Sequence, residues 1–149
     1  FILAAVIRDK PYLKSARTLA SAQILMVPAP TVRDVFDHDA AFARAIVNEL
    51  AQRYRGIVKA LKNQKLRTSA ERLANWILSS DLRQGRRLQV ELKFDKRIIA
   101  SRLGMSPENL SRNLALLSDH GIRCSARHIF IEDQAALERF AKPNPLIDD

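Results

Sequence analysis

The sequence predicts an α+β fold, on three observations. Residues 95–121 read as helix, tight turn, helix; a proline-free run over 39–65 repeats apolar residues at coiled-coil spacing; and short alternating pieces elsewhere read as strands. The expected order is a strand-containing remnant over 1–38, a long helix over 39–65, and a winged helix-turn-helix over 66–149.

Residues 1–28 hold two short apolar pieces, 1–7 and 24–27, broken by Pro11 and closed by Pro28, which predicts strands too few to fold alone. The opening FILAAVIRDK is neither long enough nor suitably flanked for a secretory signal. It reads as the middle of a domain, so the chain is expected to be a fragment lacking its N-terminal part. Residues 30–36 predict a short helix with Thr31 as cap, and Asp37-His38-Asp39 introduces the long one.

In the long helix Ala43, Val47, Leu50, Tyr54, Ile57 and Leu61 follow steps of 4, 3, 4, 3 and 4, the a/d spacing of a coiled coil. Val47, Leu50, Tyr54, Ile57 and Leu61 are therefore the candidate homodimer seam. Phe42, Ile46 and Val58 form a second apolar face. The alternative is a long core helix inside a monomer. Gly56 costs about 1 kcal/mol against alanine there, which implies either close packing or useful flexibility. Lys62-Asn63-Gln64-Lys65 reads as a polar hinge.

Residues 66–78 make an amphipathic helix with Leu73, Trp76 and Ile77 on one face, and Thr68 to Glu71 has capping-box spacing. A basic turn over 82–87 leads into 88–92, which alternates as a half-buried strand does. Next, Ile98, Ile99 and Leu103 recur at helical spacing until Gly104 and Met105 break the run. Ser106 caps the restart, Pro107 occupies the first helical position where no N–H is needed, and Glu108 complements the dipole. Ala100 is small where the helices must approach closely, Gly104 suits a positive φ, and Gly121 ends the second helix. Residues 122–124 and 128–131 flank Ser125-Ala126-Arg127 as the strands and tip of a wing. Asp133 caps a closing helix, and Pro143, Pro145 and the final aspartates mark a loose tail.

In a helix-turn-helix the N-terminal turn of the second helix faces the major groove. Glu108, Asn109, Ser111 and Arg112 occupy that turn while Leu110, Leu114 and Leu117 point inward. Arg112 can hold guanine O6 and N7 with two hydrogen bonds, Glu108 can accept from a cytosine amino group, and Ser111 can meet either kind of base. Ser106, Arg97, Arg123 and Arg127 are candidate phosphate contacts. An ordinary helical hairpin with its charges outward satisfies the same periodicity.

Charge favours the first reading. Lys plus Arg number 25 against 16 Asp plus Glu, a net +9, and ten basic against four acidic residues fall within 83–130. Two thirds of the excess therefore lies in or beside the proposed reader, which points to a polyanion partner. No apolar run spans a bilayer, so no membrane partner is expected. The single cysteine, Cys124, excludes an internal disulfide and multi-thiolate metal sites, reads as a small buried hydrophobe, and fits a reducing cytoplasm. No nucleophile elbow, phosphate-cradling glycine loop or H-E-x-x-H pattern occurs, and His38, His120 and His128 are scattered, so catalysis is not expected.

Residues 98–121 resemble the DNA-binding segment of the Crp/Fnr family of bacterial transcription regulators, and Glu108-Asn109-Leu110-Ser111-Arg112 is similar to the E-x-x-S-R recognition pattern of its Fnr-like branch. The resemblance implies that Glu108, Ser111 and Arg112 read bases in a TTGAT-like half-site. It implies too that residues 1–28 end a cyclic-nucleotide-type β-roll and that the long helix dimerises. Asn113 departs from the pattern, where many relatives carry an apolar residue or alanine. In the β-roll, the places that need a ribose-binding acid and a phosphate-binding Arg-Ser pair hold Ile2, Tyr12 and Leu13. Cyclic AMP is therefore not the expected effector, no cofactor is expected in this segment, and the signal sensed stays open. The expected partners are double-stranded DNA and a second copy, with RNA polymerase as a further candidate. The rival class is a basic module that binds nucleic acid without sequence preference. It would need exposed aromatics for stacking, whereas 6% of residues are aromatic and most fall on apolar faces.

Overall fold

The computed structural model describes residues 3–13 and 15–148. Ile2, one of the pocket positions above, lies outside them. The chain divides into two compact units, residues 1–57 and 58–149.

The first unit contains α1 (Leu3–Arg8), α2 (Ala29–His38) and the N-terminal part of α3 (Ala40–Leu66). The strands expected over residues 1–28 do not form among the described residues: 3–8 is helical and 9–28 carries no regular element. An extended segment without a neighbour leaves its amide and carbonyl rows unpaired, whereas a helix closes them on itself. LAAVIR, with two alanines, takes the second course. Arg33 links α2 to the end of α1: its Nη1 donates to Val6 O at 3.1 Å and pairs with Asp9 Oδ1 at 2.9 Å. Thr31, expected as a cap, lies inside α2, because Pro28 takes the cap position and Pro30 the first turn, where a fixed φ and a missing N–H do no harm.

Asp39 starts α3 by accepting from the Ala41 and Phe42 amides at 2.8 and 2.9 Å. The helix then runs 27 residues without interruption. The expected hinge over 62–65 is helical, since Lys, Asn and Gln do not break a helix, and the break falls at Arg67-Thr68. Ile46 is buried and Phe42 and Val58 are half-buried, while Val47, Tyr54, Ile57 and Leu61 are exposed and Leu50 is intermediate. A Cβ at Gly56 would meet nothing within 4 Å, so packing within the chain does not require a glycine there.

The second unit orders α4 (Ser69–Arg83), β1 (Gln89–Glu91), α5 (Lys96–Arg102), α6 (Pro107–Ser118), β2 (Ile122–Cys124), β3 (His128–Ile131), α7 (Gln134–Ala141) and α8 (Pro145–Asp148). The capping box forms: the Glu71 amide donates to Thr68 Oγ1 at 3.2 Å and the Thr68 amide to Glu71 Oε2 at 2.9 Å. The Thr68 amide, helped by the Thr68 hydroxyl and Lys142, outweighs burial and holds the Glu71 carboxyl below its ordinary value. Leu73, Ala74 and Ile77 of α4 enter a core shared with Val90, Ala100, Leu110, Leu117, Ile129 and Leu137. Four polar residues of α4, Arg72, Asn75, Ser80 and Asp81, are buried beside them. An unmet buried polar group costs about 1–3 kcal/mol, and each of these is met. Asn75 Nδ2 donates to Ala141 O at 2.6 Å, stitching α4 to α7, and Asp81 Oδ1 accepts from the Gln89 amide at 3.2 Å.

The antiparallel sheet has the order β1-β3-β2, with Val90 opposite Ile129 and Ile122 opposite Ile131. Beyond the outer side of β1, Gln84 Nε2 donates to Glu91 O at 3.1 Å and its Oε1 accepts from the Glu91 amide at 2.8 Å. β2 and β3 form the expected wing. Cys124, expected in the core, is exposed, because it lies at the wing tip where the core has ended. The expected loose tail is α8, started by Asn144 Oδ1 accepting from the Leu146 amide at 2.9 Å. Arg67 pairs with both Asp148 oxygens, its Nη2 lying 2.6 Å from Oδ2, and also donates to Asn63 Oδ1 and Lys142 O at 3.2 Å each. Burial would raise the Asp148 carboxyl, but Arg67 and the Asn144 amide outweigh it and hold it low.

Candidate nucleic-acid interface

The reader is built on a tight turn. α5 ends at Arg102 with Leu103 as its C-cap, Gly104 follows with φ +63°, and the Met105 amide donates back to Ala100 O at 3.0 Å. Ala100 is fully buried, as close approach of the two helices requires. Ser106 then caps α6, its Oγ accepting from the Asn109 amide at 3.2 Å, with Pro107 in the first turn.

α6 has two sides, with Leu116 exposed beside the polar one. Leu110, Leu114 and Leu117 are buried, whereas Glu108, Ser111, Arg112 and Ala115 are exposed at the i, i+3, i+4, i+7 positions of one stripe. Asn109 is half-buried at its edge. Glu108 is held below the ordinary carboxylate range, first by its own backbone amide and then by the Ser106 hydroxyl, with Arg112 and Arg97 adding their positive charge. It is therefore an ionised acceptor at neutral pH, the form that takes a hydrogen bond from a cytosine amino group. Ser111 donates its hydroxyl to Pro107 O at 3.1 Å, which leaves its lone pairs as acceptors. Asn113, the departure from the family pattern, is buried, and its Nδ2 donates to the Met105 thioether at 3.6 Å, fastening α6 to the turn.

The phosphate candidates separate. Arg97 and Arg127 are exposed, and Ser106 is engaged in capping. Arg123 pairs with Glu132, Nε to Oε1 at 2.5 Å, and stacks 4.3 Å over the Phe130 ring. A cleft of about 440 Å³ brings Arg127 of the wing tip beside Lys93, Asp95 and Lys96. Lys93 and Lys96 were not singled out as contacts by sequence reasoning, although both lie in its basic cluster. Arg72 was missed entirely: it directly follows the capping-box residue Glu71 and donates to Leu103 O at 3.2 Å, beneath the turn. The available signal was a charged residue directly beside the core-facing Leu73-Ala74 pair.

Among the described residues, no helix is long and apolar enough to cross a membrane, and no cluster of His, Cys, Asp or Glu is arranged to hold a metal ion.

Residues 71–140 match the family model described as a Crp-like helix-turn-helix domain. The chain is also similar to solved structures. One, from Silicibacter pomeroyi and assigned as a cAMP-binding regulatory protein, is 30% identical with a TM-score of 0.61; the match covers 96% of this chain and 63% of that one. A second, from Eubacterium rectale and assigned as a transcriptional regulator of the Crp/Fnr family, is 21% identical with a TM-score of 0.67, covering 79% of this chain and 54% of that one. FixK2 from Bradyrhizobium japonicum is 23% identical with a TM-score of 0.61, covering 76% and 59%. The last two likenesses speak for the fold. The chain thus spans less than two thirds of the length of each of these relatives. No curated protein is similar enough to match. The turn geometry, the two-sided α6 and the matched segment converge on one fold: residues 71–140 are similar to a Crp-like helix-turn-helix domain, and the solved Crp/Fnr-type neighbours share that fold.

Proposed function

We propose that the chain acts as a sequence-specific, dimeric transcription regulator of the Crp/Fnr type. One observation carries this reading: α6 buries Leu110, Leu114 and Leu117 and leaves Glu108, Ser111 and Arg112 as an exposed stripe starting at its N-terminal turn. Laid in a major groove, Arg112 takes a guanine, Glu108 a cytosine amino group, and Ser111 and Asn109 neighbouring base edges. Arg97, Arg127 and the Ser106 region meet phosphates, and Arg123 joins them on leaving Glu132. Two copies pair along Val47, Leu50, Tyr54, Ile57 and Leu61, which sets two readers on half-sites about 34 Å apart on an inverted, TTGAT-like repeat.

An N-terminal sensor governs this activity in the cytoplasm, with RNA polymerase as the eventual contact. The Silicibacter relative is assigned as cAMP-binding. On the family pattern, Ile2, Tyr12 and Leu13 fall at the places where ribose and phosphate need polar partners, so cyclic AMP is not the expected effector. Fluorescence anisotropy with an inverted-repeat duplex and a scrambled one, at one salt concentration, tests the reading. A preference of about 10³ or more for the repeat is expected. Equal affinity would favour the sequence-blind basic module instead.

A further inference from the structure

The turn between α5 and α6 is held from beneath by a residue of a third helix. The carbonyls of Leu103, the C-cap of α5, and of Gly104 just after it lie beyond the hydrogen-bonded run of that helix. Arg72 of α4, 8% exposed, supplies their donors: its Nε donates to Leu103 O at 3.2 Å and its Nη2 to Gly104 O at 3.5 Å, while Nη1 donates to Arg67 O at 2.9 Å. The buried charge thus lies at the negative end of α5, where the dipole favours a cation. A planar guanidinium reaches three carbonyls in different directions, which a lysine ammonium on a flexible stem does poorly. From the other side, Asn113 of α6 grips Met105. The turn is therefore fastened to α4 below and α6 above.

We infer that Arg72 is a positioning residue for base reading: it touches no DNA, and it fixes the orientation in which α6 presents Glu108 and Arg112. This rests on the DNA-reading function proposed above and names a residue that serves it. Base-edge hydrogen bonds tolerate only a few tenths of an ångström, whereas contacts from long side chains to phosphates adapt. Loosening the turn therefore lowers discrimination before it lowers affinity.

The test compares the wild-type chain with Arg72→Lys and Arg72→Gln. The matched-to-scrambled affinity ratio is expected to fall about tenfold, with scrambled-duplex affinity unchanged, in variants whose circular dichroism stays wild-type. In the free protein the Met105 and Leu110 amides should exchange with solvent about tenfold faster, with α7 unaltered. A folded variant with wild-type discrimination and exchange overturns the assignment, as does an equal loss on both duplexes. A wild-type chain that fails to discriminate overturns the proposed function, and the exchange data still decide the part played by Arg72. Should neither variant fold, NMR of the wild-type Arg72 Nε–H decides: slow exchange that persists with duplex bound supports the clamp, and exchange as fast as that of Arg112 refutes it.

Discussion

Arg112 and Glu108 stand one turn apart on the exposed side of α6, and the Arg112 charge helps to keep the Glu108 carboxyl ionised. Replacing Arg112 by alanine is expected to cost about 1–3 kcal/mol of operator binding and to relax preference at one base pair. Competition among duplexes varied one position at a time measures this, and a uniform loss across sequences would remove Arg112 from the base readers. Two glycines give a second contrast. A Cβ on Gly121, φ +86°, would stand 2.6 Å from Asp133 O, which is backbone, whereas on Gly104, φ +63°, it would meet the movable Gln64 amide at 2.8 Å. Both alanine variants carry left-handed strain of about 1–2 kcal/mol, and Gly121→Ala should have the lower Tm in thermal unfolding. The cap at Ser106 and the positive φ at Gly104 were legible because each is a local demand written in adjacent residues. Arg72 and Arg123 were not, because their partners lie 31 and 9 residues away and include backbone atoms that no side-chain pattern announces.

Among the elements, α3 carries the clearest consequence. Ile57 and Leu61 are exposed apolar residues one turn apart, and the proposed dimer places them in its seam. Ile57→Asp or Leu61→Asp is expected to halve the mass observed in sedimentation velocity and to weaken operator binding, while an unchanged mass would remove the seam. Heptad spacing made this helix readable, and capping chemistry placed α4, α6 and α7. Residues 1–28 misled because their apolar pieces fit strands, yet pairing needs a neighbour that periodicity does not supply. The tail misled in the opposite way: its prolines suggested looseness, but Pro145 suits a helix start and Asp148 finds Arg67 from 81 residues away.

At the scale of the whole molecule, that distant pair links acidity to folding. The folded Asp148 carboxyl sits below its ordinary 3.8, so its contribution is fully present above that pH and is lost as pH falls through the lower folded value. Urea unfolding should therefore show Asp148→Asn less stable than wild type at pH 7, with the gap closing as pH falls below 3.8 through the lower folded value. A gap of constant size would mean that the charge is not what holds α8. Gln84 has a consequence for the same whole. Its carboxamide occupies both main-chain groups of Glu91 in the manner of a peptide from an adjoining strand. The small sheet is thereby plugged on its outer margin with a counterfeit of one more ribbon. Stray polypeptide finds no free ladder to climb there, which guards against cross-β growth.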